Sequence, residues 1–293
     1  GVSSAASDVY KRQDWLLRCA DYTHGKADLQ AFYCDHDVQL VPGLYTDPYL
    51  KPEFSLAYLL NYDYIKETVW FRQASLASVG GVHAYPEGEV YDLLLRFVDQ
   101  YGVSAIGHMS DPLLHLPKGT ATQLALASRQ VAIENHLSRV GLDWHVGAGL
   151  VPETFRLFGQ VRGAPIVSIV IPNRDKLDYL QPCIESIFNK TDYPAWEILL
   201  IDNGSTDPDT LAYYKEITVA HPDRIRVLEY TAPFNFSAQC NLGVAEARGE
   251  FILLLNNDTQ MLHPEWLSCL VMHGQRPDIG VVGARLIYPE TSL

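Results

Sequence analysis

Residues 251–260 read FILLLNNDTQ: five apolar side chains run directly into two asparagines and an aspartate, with no glycine or proline to turn the chain. An apolar run of this kind predicts a strand buried on both faces, as in a parallel sheet covered by helices. Three polar groups at its carboxyl end are costly to bury unless they meet water, one another or a ligand. Asp258 closes the triplet, and it is the only one of the three that carries a charge.

Working outward, strand-like runs appear at IVSIVI (166–171), WEILLI (196–201), IRVLEY (225–230) and GVVGARLI (280–287), with helical spacing over 176–189, 209–220, 236–247 and 264–275. Apolar strands alternating with helix-length segments predict β-α-β units, hence an α/β fold with a parallel sheet between helices. In such sheets ligands sit beyond the carboxyl ends of the strands. At those ends stand PNRD (172–175), DNGSTD (202–207), TAPFNFS (231–237) and NND (256–258). Neither GxGxxG nor GxxxxGK[ST] occurs there, which excludes the glycine-rich phosphate cradles. The phosphates of a bound nucleotide then need another counter-charge, most simply Mg2+ or Mn2+. Both prefer oxygen ligands and are commonly held by one or two carboxylates together with substrate phosphates. Asp258 is suited to that role.

A net charge of −13 over 293 residues argues against a nucleic-acid binder, which needs a basic footprint. Five scattered cysteines, odd in number and without a CxxC, fit a reduced cytoplasmic setting. No apolar stretch approaches the roughly 18 residues of a membrane span. Residues 1–13, GVSSAASDVYKRQ, resemble the translated read-through of a sequencing adapter and are set aside as a non-native leader.

Residues 14–150 are less regular. LQAFYC (29–34) suits a strand, and residues 49–71 suit a loop, a helix and a strand in turn. YDLLLRFVDQY (91–101) and TQLALASRQVAIENHLSRVG (122–141) are amphipathic helices, the second closed by Gly141. Residues 151–164 read as a linker, with TFRLF (154–158) as a short strand within it. Tyr58, Tyr62, Tyr64 and Trp70 suit either core or the wall of a cleft.

The string VSIVIPNRDKLDYLQPCIESI, YPAWEILLIDNGSTDPDT, PFNFSAQCNLGVAEARGEFILLLNNDTQ and GVVGARLIYP resembles the nucleotide-sugar half of a family 2 glycosyltransferase of GT-A fold. Its PFNFS and LLNNDT are similar to rhamnosyltransferase-like members that build bacterial surface polysaccharides. Residues 14–150 resemble, less closely, the acceptor half of another such domain, so that 165–293 would be the front half of a second one in tandem.

The resemblance implies transfer of a sugar, with inversion, from a UDP- or dTDP-sugar to a glycan or lipid-linked glycan. It implies that Pro172 and Asn173 line the base and ribose, and that Asp202 hydrogen-bonds the base. Asn256, Asn257 and Asp258 then occupy the family's DxD position, with Asp258 the metal ligand. Asn256 stands where Asp is commoner, one negative charge fewer. Arg174, Asn241 and Arg248 are candidates for the sugar diphosphate. In the upstream half the acidic base position of the family falls on Val90, leaving Glu89 or Asp92 as substitutes, and His115 matches a late histidine that helps hold the metal. The resemblance also allows the full-length protein to sit at the inner face of the cytoplasmic membrane.

Plainer roles compete. Asp202 suits a cap on the turn that follows it, Asp258 an N-cap, and Glu89 and Asp92 the amino end of a helix, where acids complement the dipole. His108 and His115 equally suit structural histidines. Two other functions remain: a nucleotidyltransferase, disfavoured by the glycine-free PNRD, and a non-catalytic nucleotide-sugar-binding or scaffold segment.

Overall fold

The computed structural model describes residues 10–11, 14–41, 44–116 and 122–288. The chain divides into two compact units, Gly1–Gly159 and Gln160–Leu293.

In the first unit the described elements are β1 (Tyr10–Lys11), α1 (Trp15–Thr23), β2 (Ala31–Val41), β3 (Leu44–Tyr49), α2 (Leu56–Asn61), β4 (Val69–Phe71), α3 (Gln73–Leu76), α4 (Glu89–Tyr101), β5 (Ile106–Leu116), α5 (Gln123–Arg139), β6 (His145–Ala148) and β7 (Phe155–Phe158). One sheet runs β1-β5-β2-β3, with β4 also on β2; only β2 and β5 are parallel. One apolar cluster joins Tyr33, Leu59, Tyr64, Leu94, Phe97 and Ile133, and a second joins Cys19, Phe32, Cys34 and Leu113. Tyr64 and Trp70 are therefore core, Trp70 stacked on Phe32 at 5.1 Å, whereas Tyr58 is exposed.

Tyr10 and Lys11, set aside as leader, pair antiparallel with β5; residues 1–9, 12 and 13 lie outside the described residues. The segment read as a linker carries β7, which pairs with β6 and sends Phe155 and Leu157 into the first unit's core. TFRLF is thus a strand of this unit, and the division falls at Gly159.

Helices α4 and α5 are joined by a polar clasp. Asp99 accepts from His136 Nδ1 at 2.6 Å and from Arg139 Nε at 2.5 Å. Burial by itself would raise the Asp99 pKa, but His136 and Arg139 outweigh it and hold the carboxyl below its ordinary value. A depressed carboxyl stabilises the fold above its unfolded pKa, about 3.9, and that contribution disappears as pH falls through the folded value. Acid unfolding followed by circular dichroism should therefore show Asp99→Asn less stable than the parent near neutrality, with the difference closing below about pH 4.

The second unit contains β8 (Val167–Asn173), α6 (Leu177–Lys190), β9 (Trp196–Asp202), α7 (Pro208–Ala220), β10 (Ile225–Glu229), α8 (Phe236–Glu246), β11 (Phe251–Leu254) and α9 (Trp266–Gly274). Its strands are all parallel in the order β10-β9-β8-β11, so the chain reverses direction across the sheet between β8 and β11. Ile169, Ile171, Ile198 and Leu200 face α6, α7 and α9, while Val170, Leu199 and Ile201 face the opposite side with Leu242 of α8. All seven of these strand side chains are buried, each contributing roughly 1.5–3 kcal/mol. Gly243 lets α8 lie on the sheet, since a Cβ there would come within 2.4 Å of Val170.

Local signals set the helix starts. Asp207 caps α7 ahead of Pro208, and Asn235 caps α8 by accepting from Ala238 N at 3.0 Å.

The opening stretch differs from expectation in one respect. β11 is an edge strand among the described residues, with Ile252 and Leu254 38% and 52% exposed rather than buried on both faces. GVVGARLI does not form a strand: residues 281–288 have no regular structure, and no ladder partner lies beside them among the described residues. A strand persists only where its backbone groups are paired, and apolar content cannot replace that pairing.

Candidate functional site

The carboxyl ends of β8, β9 and β11 meet through a continuous string of hydrogen bonds. Asn257 Nδ2 donates to Asn173 Oδ1 at 2.6 Å, Asn173 Nδ2 donates to the Tyr214 hydroxyl at 2.6 Å, and that hydroxyl donates to Asp202 Oδ1 at 3.2 Å. Asn173 and Asp202 are also register partners across β8 and β9. Asp202 and the asparagine-aspartate turn thus open onto the same edge of the sheet, at its switch point. Burial pushes the Tyr214 phenol up to about 12, so it stays a neutral donor.

Asp202 is buried and also caps its own turn, accepting from Ser205 Oγ and from Ser205 N at 3.2 Å. Both readings of this residue hold together. Oδ1 carries the shorter bonds, and Oδ2 is left with one contact of 3.3 Å. Pro172 is half-buried beside Asn173, at the lip of the same edge.

The loops after β8 and β9 are stitched together by Asp175, which the sequence did not single out. Its Oδ1 accepts from Thr206 N at 2.7 Å and Asp207 N at 2.9 Å, while its own N–H donates to Ser205 Oγ at 2.7 Å. Asp175 and Lys176 both hold left-handed backbone, with φ of 53° and 59°. Two such non-glycine residues in succession cost of order 1 kcal/mol each, and persist because these bonds hold them. The bend lifts Arg174 into solvent, where it has no partner among the described residues.

Asn256 and Asp258 are exposed, and Asp258 makes no hydrogen bond or ion pair among the described residues. The plainer N-cap role is not taken up: α9 begins at Trp266 with Glu265 in the capping position. A free carboxylate flanked by amide oxygens suits a hard cation that takes its remaining ligands from a diphosphate. No cluster of three or more His, Cys, Asp or Glu able to hold a metal occurs among the described residues.

Arg248 does not join the site. The Arg248 N–H donates to Glu197 Oε1 at 2.8 Å, at the amino end of β9. Five residues of strand, roughly 16 Å, separate that end from Asp202. Arg248 precedes β11 in the chain and therefore lies at the opposite end of the sheet. Asn241 sits halfway along α8 and is exposed, whereas Gln239, Cys240 and Gly243 occupy the buried side.

In the first unit Glu89 is half-buried in the first turn of α4, followed by half-buried Val90. Asp92 is only 1% exposed. Its Oδ2 binds Arg96 Nε at 2.8 Å, and Arg96 donates onward to the Val79 and Gly81 carbonyls. That arrangement anchors the loop before α4 and speaks for a structural role of Asp92, whose Oδ1 is buried without a hydrogen-bond partner among the described residues. His115 Nδ1 is bonded to Asp37 Oδ1, and Tyr45 stacks on the ring at 3.9 Å. His108 Nε2 bonds Asp35 Oδ1 at 2.8 Å, and the Lys51 N–H donates to the same oxygen at 2.9 Å. Asp35, His36 and Asp37 were missed by the sequence reading. The signal was present: AFYC running into DHD repeats the strand-into-acid pattern of residues 251–258. His115 and Asp258 belong to different units.

Comparison with known proteins decides the second unit. The profile of Glycosyl transferase family 2 matches residues 168–292, which span every strand end described above. The second unit is a family 2 glycosyltransferase domain. Two relatives extend the likeness over both units. The y4gI protein of Sinorhizobium fredii is 35% identical over 288 residues, 94% of this chain and 32% of that protein. The O-antigen biosynthesis protein RfbC of Myxococcus xanthus is 35% identical over 275 residues, 90% of this chain and 21% of RfbC. The chain therefore spans about a third and a fifth of these two relatives. Among solved structures, a mannosyltransferase of Pyrobaculum calidifontis in complex with GDP-Man and Mn2+ aligns at 19% identity and a TM-score of 0.39, over 53% of this chain and 43% of that one. No helix among the described residues is long and apolar enough to cross a membrane.

Proposed function

We propose that the glycosyltransferase moves a hexose or deoxyhexose from a UDP- or dTDP-sugar to a glycan or lipid-linked glycan during assembly of a bacterial surface polysaccharide, with a divalent cation and with inversion. The observation that carries this reading is the string Asn257–Asn173–Tyr214–Asp202, which brings Asp202 and the turn that carries Asp258 to one edge of the sheet. The O-antigen role of RfbC supports the polysaccharide setting.

In this reading Asp202 Oδ2 accepts the imide N–H of uracil or thymine, and Pro172 and Asn173 flank the base and ribose. Asp258, with the amide oxygens of Asn256 and Asn257 beside it, holds Mg2+ or Mn2+, which supplies Lewis-acid neutralisation of charge on the leaving diphosphate. Arg174, exposed on the bent loop, adds positive charge on the same side. Deprotonation of the acceptor hydroxyl falls to a carboxylate base.

The first unit would be the remainder of a preceding domain of the same family, with Asp37 and His115 as its cation ligands. Val90 at the base position, and Asp92 locked by Arg96, favour a non-catalytic role for that unit. The full-length protein would associate with the membrane peripherally.

Calorimetric titration of UDP and dTDP into the chain, with and without Mn2+, tests the reading. Binding that requires Mn2+ supports it; absence of binding, or binding indifferent to the metal, defeats it.

A further inference from the structure

Of the four segments at the carboxyl edge of the second sheet, only TAPFNFS carries aromatic rings in its loop. Phe234 is 73% exposed and Phe236 46%, and neither makes a ring contact among the described residues. Large apolar groups held this far into water mark a binding surface more often than chance.

The backbone that presents them is fixed beside Asp202. Tyr230 N donates to the Asp202 carbonyl at 2.8 Å, and Asn203 Nδ2 donates to the carbonyls of Tyr230 and Ala232, both at 3.1 Å. Gln239 Nε2 of α8 in turn donates to Asn203 Oδ1 at 3.3 Å. Asn235, between the two rings, caps α8. Phe234 is thus two residues beyond a carbonyl bonded to the neighbour of Asp202, and the backbone that carries both rings is held in place before any ligand arrives.

We infer that Phe234 and Phe236 provide the stacking face for the donor's nucleobase, with Asp202 reading its edge. The inference rests on the donor-site reading above. A carboxylate can recognise the imide N–H but offers nothing to the flat apolar face of a pyrimidine, which an aromatic ring covers well. The PNRD, DNGSTD and NND segments contain no ring that could do this. Because the rings project into solvent, their truncation opens no cavity.

The test compares UDP with inorganic pyrophosphate, each titrated in the presence of Mn2+, for the parent, for Phe234→Ala with Phe236→Ala, and for Phe234→Trp. The double alanine variant should lose roughly tenfold or more in UDP affinity while pyrophosphate affinity stays within about twofold. The tryptophan variant should retain UDP binding, and the uracil band near 260 nm should weaken on binding to parent and tryptophan variant but not to the double variant. Equal UDP affinity in parent and double variant, with parent binding intact, overturns the stacking role alone. Failure of the parent to bind UDP with Mn2+ overturns the donor site and this inference together. Unchanged melting temperatures across the set identify the loss as one of recognition.

Discussion

Asp258→Ala is expected to abolish the Mn2+-dependent part of UDP binding, a loss of about a hundredfold or ~2.7 kcal/mol. The size follows from what remains. Asn256 and Asn257 offer only neutral amide oxygens, the Asn257 amide nitrogen being bonded to Asn173, so no second carboxylate stands in the turn. Displacing even an indirect partner of a metal ligand typically costs ten- to a hundredfold, and here the charged ligand itself is removed. The side chain is exposed and unbonded among the described residues, so the variant should fold and melt as the parent does. Titration of Mn2+ alone, and of UDP at saturating Mn2+, measures both constants. Metal-dependent UDP binding that survives unaltered takes Asp258 out of the site.

The second large effect belongs to Asp92, and it is one of stability. Asp92→Ala leaves the Arg96 guanidinium buried without its carboxylate, and removal of one member of a buried pair generally costs about 3–5 kcal/mol. The Val79 and Gly81 carbonyls that Arg96 also holds should loosen with it. Urea unfolding should show the loss in the first unit, with UDP binding by the second unit retained. A general base predicts the reverse, a variant that folds normally and fails only in turnover. Asp92→Ala with parental stability would therefore return this residue to the list of catalytic candidates.

The upstream unit was only partly legible. LQAFYC, the loop-helix-strand order of residues 49–71 and both long amphipathic helices lie where their spacing put them. β7 was recognised as a strand but assigned to a linker, because a four-residue strand contains nothing that says which unit its partner β6 belongs to. Asp35-His36-Asp37 was legible and overlooked. Asp92 was not legible: an acid in the first turn of a helix has the same local signature whether it faces water, a substrate or a buried arginine.

For the second unit, the alternation of apolar runs and 3.6-periodic segments determined by itself the parallel sheet, its first four strands and their helices, and thereby the edge on which a ligand sits. The identity of the residues at that edge followed from chain order alone, since a parallel strand must end where its carboxyl terminus points. Only the tertiary structure decided which polar groups converge there. It joined Asn173, Tyr214 and Asp202 across three elements, tied Asp175 to the next loop, and left Asp258 without a hydrogen bond or ion pair among the described residues. It also carried Arg248 to the far end of the sheet and left GVVGARLI without a ladder partner among the described residues. Element type is encoded in the spacing of neighbours along the chain, whereas register, pairing and burial depend on packing between residues tens of positions apart, which no local pattern records.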